Sequence, residues 1–175
     1  MRVIGGEFRS RRLKSIPGMA TRPTPDRLRE TLFNVLAPSI ERAVFLDAYA
    51  GTGAVGIEAL SRGAARAIFL ERSRPAAAVL RENLRALGLE ERSRVEQSPA
   101  ATALARNRAD IVFLDPPYEQ EGEYSAAMRA LAADPPALVV MQHSVRFTPQ
   151  ESYGALARTR TLKQGDNALS FYKPG

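Results

Sequence analysis

Four short apolar runs, at residues 43–46, 67–70, 110–114 and 137–142, and a weaker strand at 94–97 alternate with stretches of helical periodicity at 54–61, 75–87, 100–106 and 124–133. Runs this short and this apolar are strands covered on both faces, as in a parallel sheet. Strands that alternate with helices dictate an α/β class: an open, doubly wound, Rossmann-like sheet that binds ligands at the carboxyl ends of its strands. The tail departs from the alternation. Residues 156–163 and 168–173 read as two strands joined by the turn Gln164-Gly165-Asp166-Asn167 with no helix between them, so an antiparallel pair closes the sheet. The expected sheet therefore has seven strands, mostly parallel, with an antiparallel C-terminal hairpin.

Before the first strand, Thr24-Pro25 offers an N-cap and a first-turn proline for a helix over 25–37, whose Leu28, Leu32, Phe33, Val35 and Leu36 form the packing face while Arg27 and Arg29 point elsewhere. Earlier still, Val3, Ile4 and Phe8, then Leu13 and Ile16, flank a polar Arg9-Ser10-Arg11 tip, which reads as a β-hairpin carrying arginines. We expect two units: a basic β-hairpin extension over residues 1–20 and an α/β domain over 21–175.

Net charge is +6, and residues 1–30 carry eight cations against three anions. Clustering of this kind points to a polyanion, because neutralised phosphates supply much of the affinity in nucleic-acid complexes. Arg9, Arg11, Arg12, Lys14, Arg27 and Arg29 are the candidate nucleic-acid-binding residues. Cysteine is absent, so disulfides, thiolate metal sites and a cysteine nucleophile are excluded. No apolar run approaches the ~20 residues of a membrane span, and the N-terminus lacks an apolar signal core. The expectation is a cytoplasmic monomer with no membrane contact.

Between the first strand and its helix lies Asp47-Ala48-Tyr49-Ala50-Gly51-Thr52-Gly53-Ala54-Val55-Gly56. Glycines at 51, 53 and 56 fit G-x-G-x-x-G, which brings backbone close to a nucleotide-like ligand at a helix N-terminus. A dinucleotide site is one reading. Against it, Asp47 ends the strand and three residues intervene before Gly51, an Asp-x-x-x-Gly-x-Gly order that resembles the first motif of S-adenosylmethionine (SAM) dependent methyltransferases. Asp47 suits the cofactor's ammonium end, Gly51, Thr52 and Gly53 its bulk, and Glu71 at the end of the second strand can accept both ribose hydroxyls.

The sharpest signal is Asp115-Pro116-Pro117-Tyr118 after the fourth strand. Two prolines fix the backbone and remove donors, so the turn presents the Asp115 carboxylate and the Pro116 carbonyl as acceptors beside an aromatic face. These suit an exocyclic amine, whose lone pair must be oriented toward a methyl group while Tyr118 stacks on an unstacked base. Positioning then drives in-line transfer with no metal and no covalent intermediate. The tetrapeptide is shared by methyltransferases of adenine N6, guanine N2 and glutamine, so it leaves the acceptor open.

Three blocks narrow the choice: Arg2-Val-Ile-Gly-Gly-Glu-Phe-Arg-Ser-Arg-Arg-Leu13, Arg22-Pro-Thr-Pro-Asp-Arg-Leu-Arg-Glu-Thr-Leu-Phe-Asn34 and Gly51-Thr-Gly-Ala-Val-Gly-Ile-Glu-Ala-Leu-Ser-Arg-Gly63. Together they resemble the bacterial RsmD family, whose members methylate a guanine N2 in small-subunit ribosomal RNA. That resemblance implies the seven-stranded SAM methyltransferase fold, SAM as methyl donor, and ribosomal RNA or a small-subunit assembly particle as partner. It also implies that Arg22, Thr24, Arg27 and Asn34 lie near the cofactor and substrate entrance. Ser98 stands where the family often has Asp or Asn facing the adenine amino group. Gln142 stands where a carboxylate is expected, and it is given no role. His143, the only histidine, reads as structural rather than a general base, since this transfer needs no imidazole. The competing readings are an adenine-N6 methyltransferase on DNA or RNA, and an RNA-binding assembly factor that keeps the fold without turnover.

Overall fold

The computed structural model describes residues 1–17, 24–117 and 120–175. Among these residues five α-helices and eight strands follow one another as α1 (Asp26–Ile40), β1 (Val44–Asp47), α2 (Ala54–Ser61), β2 (Arg66–Leu70), α3 (Arg74–Ala86), β3 (Ser93–Glu96), α4 (Ala100–Leu104), β4 (Ile111–Leu114), α5 (Gly122–Ala132), β5 (Leu138–Ser144), β6 (Ser152–Tyr153), β7 (Leu156–Gln164) and β8 (Asn167–Pro174), with a 3-10 turn at Glu90–Arg92 before β3. They form one sheet in the order β3-β2-β1-β4-β5-β8-β7-β6, parallel through β5 and antiparallel from β8 onward. The order reverses between β1 and β4, so a crevice opens beyond the carboxyl ends of these two strands.

The apolar strands are buried on both faces because their side chains alternate between two cores. Phe45, Phe69 and Phe113 point to one face, with Leu32, Phe33, Leu36, Ile57 and Leu80 of α1, α2 and α3. The next residues along, Leu46, Leu70 and Leu114, point to the other, with Leu104 of α4 and Met128 and Leu131 of α5. A one-residue slip in any of these strands would exchange the two sets.

Three sequence expectations change. The sheet has eight strands instead of seven, because Ser152 and Tyr153 pair with Ala157 and Leu156 at the start of β7. Two residues separated from their partner by only a tight turn are too few to show a period in sequence. Helix α1 starts at Asp26 with Pro25 as its N-cap, and no side chain caps it, so Thr24 does not serve that purpose. Finally, Arg29 lies on the packed face of α1, fully buried, and not on an outward one.

The N-terminal hairpin is short: Arg2 and Arg12 form an antiparallel bridge, flanked by Val3 N–H to Arg11 C=O at 2.9 Å and Leu13 N–H to Met1 C=O at 2.8 Å. Val3 and Leu13 enter the same core as α1 and α2. The hairpin lies directly on α2, where Glu58 accepts from the Ile4 and Gly5 amides, both at 2.9 Å, and Ser61 Oγ accepts from the Phe8 amide at 2.9 Å. A side chain at Gly6 would collide with the Ser61 carbonyl.

Glycine 56 owes its identity to packing. An added Cβ would overlap the Phe69 ring of β2, so glycine lets α2 sit close on the sheet. Its φ is not positive, which leaves the clash as the main cost of substitution. Gly56→Ala is expected to lower the unfolding free energy by about 1–3 kcal/mol, read as a lower urea midpoint at unchanged m-value.

Candidate functional site

The residues singled out by sequence converge on the carboxyl ends of three adjacent strands. Asp47 closes β1, in register with Phe69 of β2 and Phe113 of β4. Glu71 follows β2 directly, and Asp115 follows β4. The loop between β1 and α2 runs between the two carboxylates of Asp47 and Glu71 and is bonded to both. Asp47 Oδ2 accepts from the Gly56 amide in the first turn of α2 at 3.2 Å, and Glu71 Oε1 accepts from the Gly51 amide at 2.8 Å. The second Glu71 oxygen accepts from the Ser73 amide at 2.7 Å.

The glycines divide by purpose. A side chain at Gly53 would collide with Leu80 of α3, and Gly53 caps α2 in the left-handed region at φ 97°. Around Gly51, at φ 58°, no described atom lies within 4 Å of an added Cβ. Gly51 therefore borders the open side of the loop, whereas Gly53 and Gly56 close its packed side.

Asp47 is 1% exposed, and its Oδ1 has no hydrogen-bond partner among the described residues. A lone acidic oxygen in apolar surroundings is costly, and burial, reinforced by the charge of Glu71, pushes its carboxyl up to about 7 against the pull of the Gly56 amide. A cationic group placed at Oδ1 would relieve that cost, so the donor set fits the ammonium end of an amino-acid-bearing cofactor. Glu71 keeps lone pairs beyond the two amides it already accepts from and can take hydroxyls through them.

The remaining predicted residues fall in different places. Thr24 is buried, and its Oγ1 donates to Gln142 Oε1 at 3.2 Å. Gln142 stands one residue beyond the Leu114–Met141 pair, level with Asp115, and its carbonyl accepts from Tyr124 Oη at 2.8 Å. The position given no role from sequence thus ties the segment entering α1 to β5. Ser98 lies within a polar cluster after β3: its Oγ donates to Glu96 at 3.3 Å and accepts from Arg106 at 3.1 Å. Pro116 is buried and Pro117 exposed, the Pro117 carbonyl accepting from the Gln120 amide at 3.0 Å. Arg22 and Tyr118 lie outside the described residues.

Of the proposed cationic face, Arg9, Arg11, Arg12, Lys14 and Arg27 are exposed. Arg11 reaches the Ala86 carbonyl at the end of α3 at 3.3 Å, and Lys14 pairs with Glu82 at 3.1 Å. Arg29 is a correction. At 0% exposure it donates to the Arg2 carbonyl at 2.6 Å and pairs with Asp26 at 3.1 Å and Glu58 at 3.5 Å, so it braces the hairpin from inside and cannot meet a phosphate. Burial draws its guanidinium below the usual range, against the carboxylates of Glu58 and Asp26. The spacing held the clue, since Arg29 stands three and four residues before Leu32 and Phe33 on the apolar face.

Sequence reasoning missed two further groups. Tyr49 Oη donates to Glu123 at 2.9 Å and so ties the glycine loop to α5; burial and that carboxylate raise its phenol. Asn83 of α3 donates to the Thr52 carbonyl at 2.9 Å. His143 is buried, with its ring nitrogens on the Ser144 carbonyl at 2.8 Å and Ser170 Oγ at 2.7 Å, and burial lowers its pKa, a setting for structure and not for proton transfer.

Because the Asp47 carboxyl is raised in the folded state, the native protein holds more protons than the unfolded chain between about pH 4 and 7, and the residue's contribution to stability falls as pH rises through that window. Relative to Asp47→Asn, the wild-type unfolding free energy is expected to drop by at most about 1.4 kcal/mol per pH unit across it and to level off above. Urea titrations of both proteins at several pH values measure this.

Comparison with known proteins agrees with this geometry. A family model described as Conserved hypothetical protein 95 matches residues 1–173. A Bacillus subtilis protein, YlbH, named as a candidate rRNA methyltransferase, is 34% identical over 182 residues, covering 99% of this chain and 98% of that protein. The ribosomal RNA small subunit methyltransferase D of Escherichia coli K12 is 46% identical over 122 residues, which span 69% of this chain and 61% of that protein. A solved Escherichia coli structure, the candidate methyltransferase yhhF, superposes with a TM-score of 0.86 at 37% identity, covering 99% of this chain and 97% of that one. With a mostly parallel sheet of this order and a family match over nearly its whole length, the chain belongs to the RsmD family of SAM-dependent rRNA methyltransferases.

Proposed function

We propose that this protein transfers a methyl group from SAM to the exocyclic N2 of a guanine in small-subunit ribosomal RNA, acting in the cytoplasm during ribosome assembly. The observation that carries the proposal is the placement of Asp47, Glu71 and Asp115 at the ends of three neighbouring strands, with the glycine loop bonded to the first two. The RNA substrate is taken from the relatives' names, and the guanine from the resemblance of the N-terminal blocks.

SAM, when bound, supplies the electrophilic methyl carbon. The unpaired Oδ1 of Asp47 would hold the ammonium end, the Glu71 carboxylate the ribose hydroxyls, and the open side of Gly51 with Thr52 the bulk between them, while Ser98 and Thr24 would complete the cofactor's surroundings. Asp115 and the Pro116 carbonyl would each accept one N–H of the base amine. That fixes the nitrogen lone pair on the methyl side, which matters because the lone pair is otherwise delocalised into the ring. Tyr118 would stack on the base, and Pro117 would stiffen the turn. Arg9, Arg11, Arg12, Lys14 and Arg27 would grip the RNA backbone, and Arg22 would lie at the entrance.

The test is to incubate the protein with labelled SAM and small-subunit rRNA, free or in particles lacking the modification, then digest and identify the nucleoside by mass spectrometry. N2-methylguanosine is the expected product; N6-methyladenosine would overturn the acceptor assignment, and absence of any product would overturn the enzymatic reading. Asp115→Ala should still bind SAM by calorimetry yet lose at least about a hundredfold in transfer rate, since an orienting contact to the reacting atom is removed. Replacing Arg11 and Arg12 together with Ala should weaken RNA binding and flatten the slope of log affinity against log salt by about one to two units, as read by filter binding across a salt series.

A further inference from the structure

Helix α3 buries Ala76, Ala77, Leu80 and Leu84, and among them one amide, Asn83. A buried amide persists when its hydrogen bonds are met, and here they reach two distant segments. Asn83 Oδ1 accepts from the Lys14 amide at 2.8 Å, while Nδ2 donates to the Lys14 carbonyl at 3.1 Å and to the Thr52 carbonyl at 2.9 Å. The orientation of the amide is fixed by these partners: turned over, it would set N–H against N–H and oxygen against two carbonyls.

One side chain thus grips both backbone groups of Lys14, where the chain leaves the basic hairpin, and the peptide of Thr52, between the loop's open residue Gly51 and the cap Gly53. Thr52 cannot shift without drawing on Nδ2, and Asn83 cannot turn without releasing Lys14. Resting on the functional reading above, in which the loop takes SAM and the hairpin takes RNA, we propose that Asn83 is a positioning residue that couples the two, so that occupancy of the loop sets the hairpin and each ligand tightens the other. The linkage is reciprocal by necessity.

The experiment measures affinity of the intact protein for S-adenosylhomocysteine by calorimetry, with and without a small-subunit rRNA transcript. RNA is expected to tighten binding about fivefold or more in the wild type, in the range usual for coupled sites, and Asn83→Ala should bring that ratio close to one while circular dichroism shows the fold retained. An independent readout needs no variant: in wild-type protein, S-adenosylhomocysteine should slow hydrogen exchange at the Lys14 amide. Equal coupling in Asn83→Ala, or exchange at Lys14 indifferent to the ligand, overturns the role of Asn83 and leaves the functional reading standing. Failure of wild-type protein to bind S-adenosylhomocysteine at all overturns the cofactor reading and this proposal with it.

Discussion

The N-terminal third of the molecule hangs on one carboxylate that has no access to water. Glu58, at 0% exposure, accepts from the Ile4 and Gly5 amides and pairs with Arg62 at 2.8 Å and with Arg29 at 3.5 Å. Three elements meet there: the hairpin, α1 and α2. Buried ion pairs add little net stability, because desolvation offsets the Coulomb gain, yet removing one partner costs about 3–5 kcal/mol by stranding the other. Their value lies in specifying one arrangement, and here that arrangement sets the hairpin backbone on the same helix whose N-terminus follows the glycine loop. Arg62 also lies over the Phe33 ring, 5.6 Å from its centroid, which joins the polar knot to the core.

The loop itself is governed by charge. Asp47 and Glu71 lie on adjacent strands and each holds a backbone amide of the same short segment, one near its start and one inside the helix that follows. Burial raises the Asp47 carboxyl, and the neighbouring charge of Glu71 adds to the effect. The loop is thus shaped in advance and left short of positive charge, which is the condition under which a cation binds with least rearrangement.

Much of this was readable in the residues. The strand-helix alternation is legible because β1, β2, β4 and β5 are buried on both faces and therefore apolar, and Asp47, Glu71 and Asp115 are recognisable because each is an acid that ends such a run. What was hidden depended on partners distant in sequence. Arg29 looked like surface charge because its acceptor Glu58 lies in another helix, and Gly56 looked like a ligand glycine because the ring it accommodates, Phe69, belongs to the next strand. Gln142 and Thr24 are 118 residues apart, so neither suggests the other. The two-residue strand β6 carries too few residues for any period to show.

The contacts of Ile4, Gly5 and Phe8 that seat the hairpin on α2 join residues 53 or 54 positions apart. During synthesis the arginine-bearing segment emerges before α2 and has no helix to lie on until α2 has left the ribosome and packed against β1 and β2. Closing so long a loop becomes favourable once its far end is already fixed. The hairpin can dock only once α2 is in place, so until then a nascent protein carries this basic segment off the helix that will hold it.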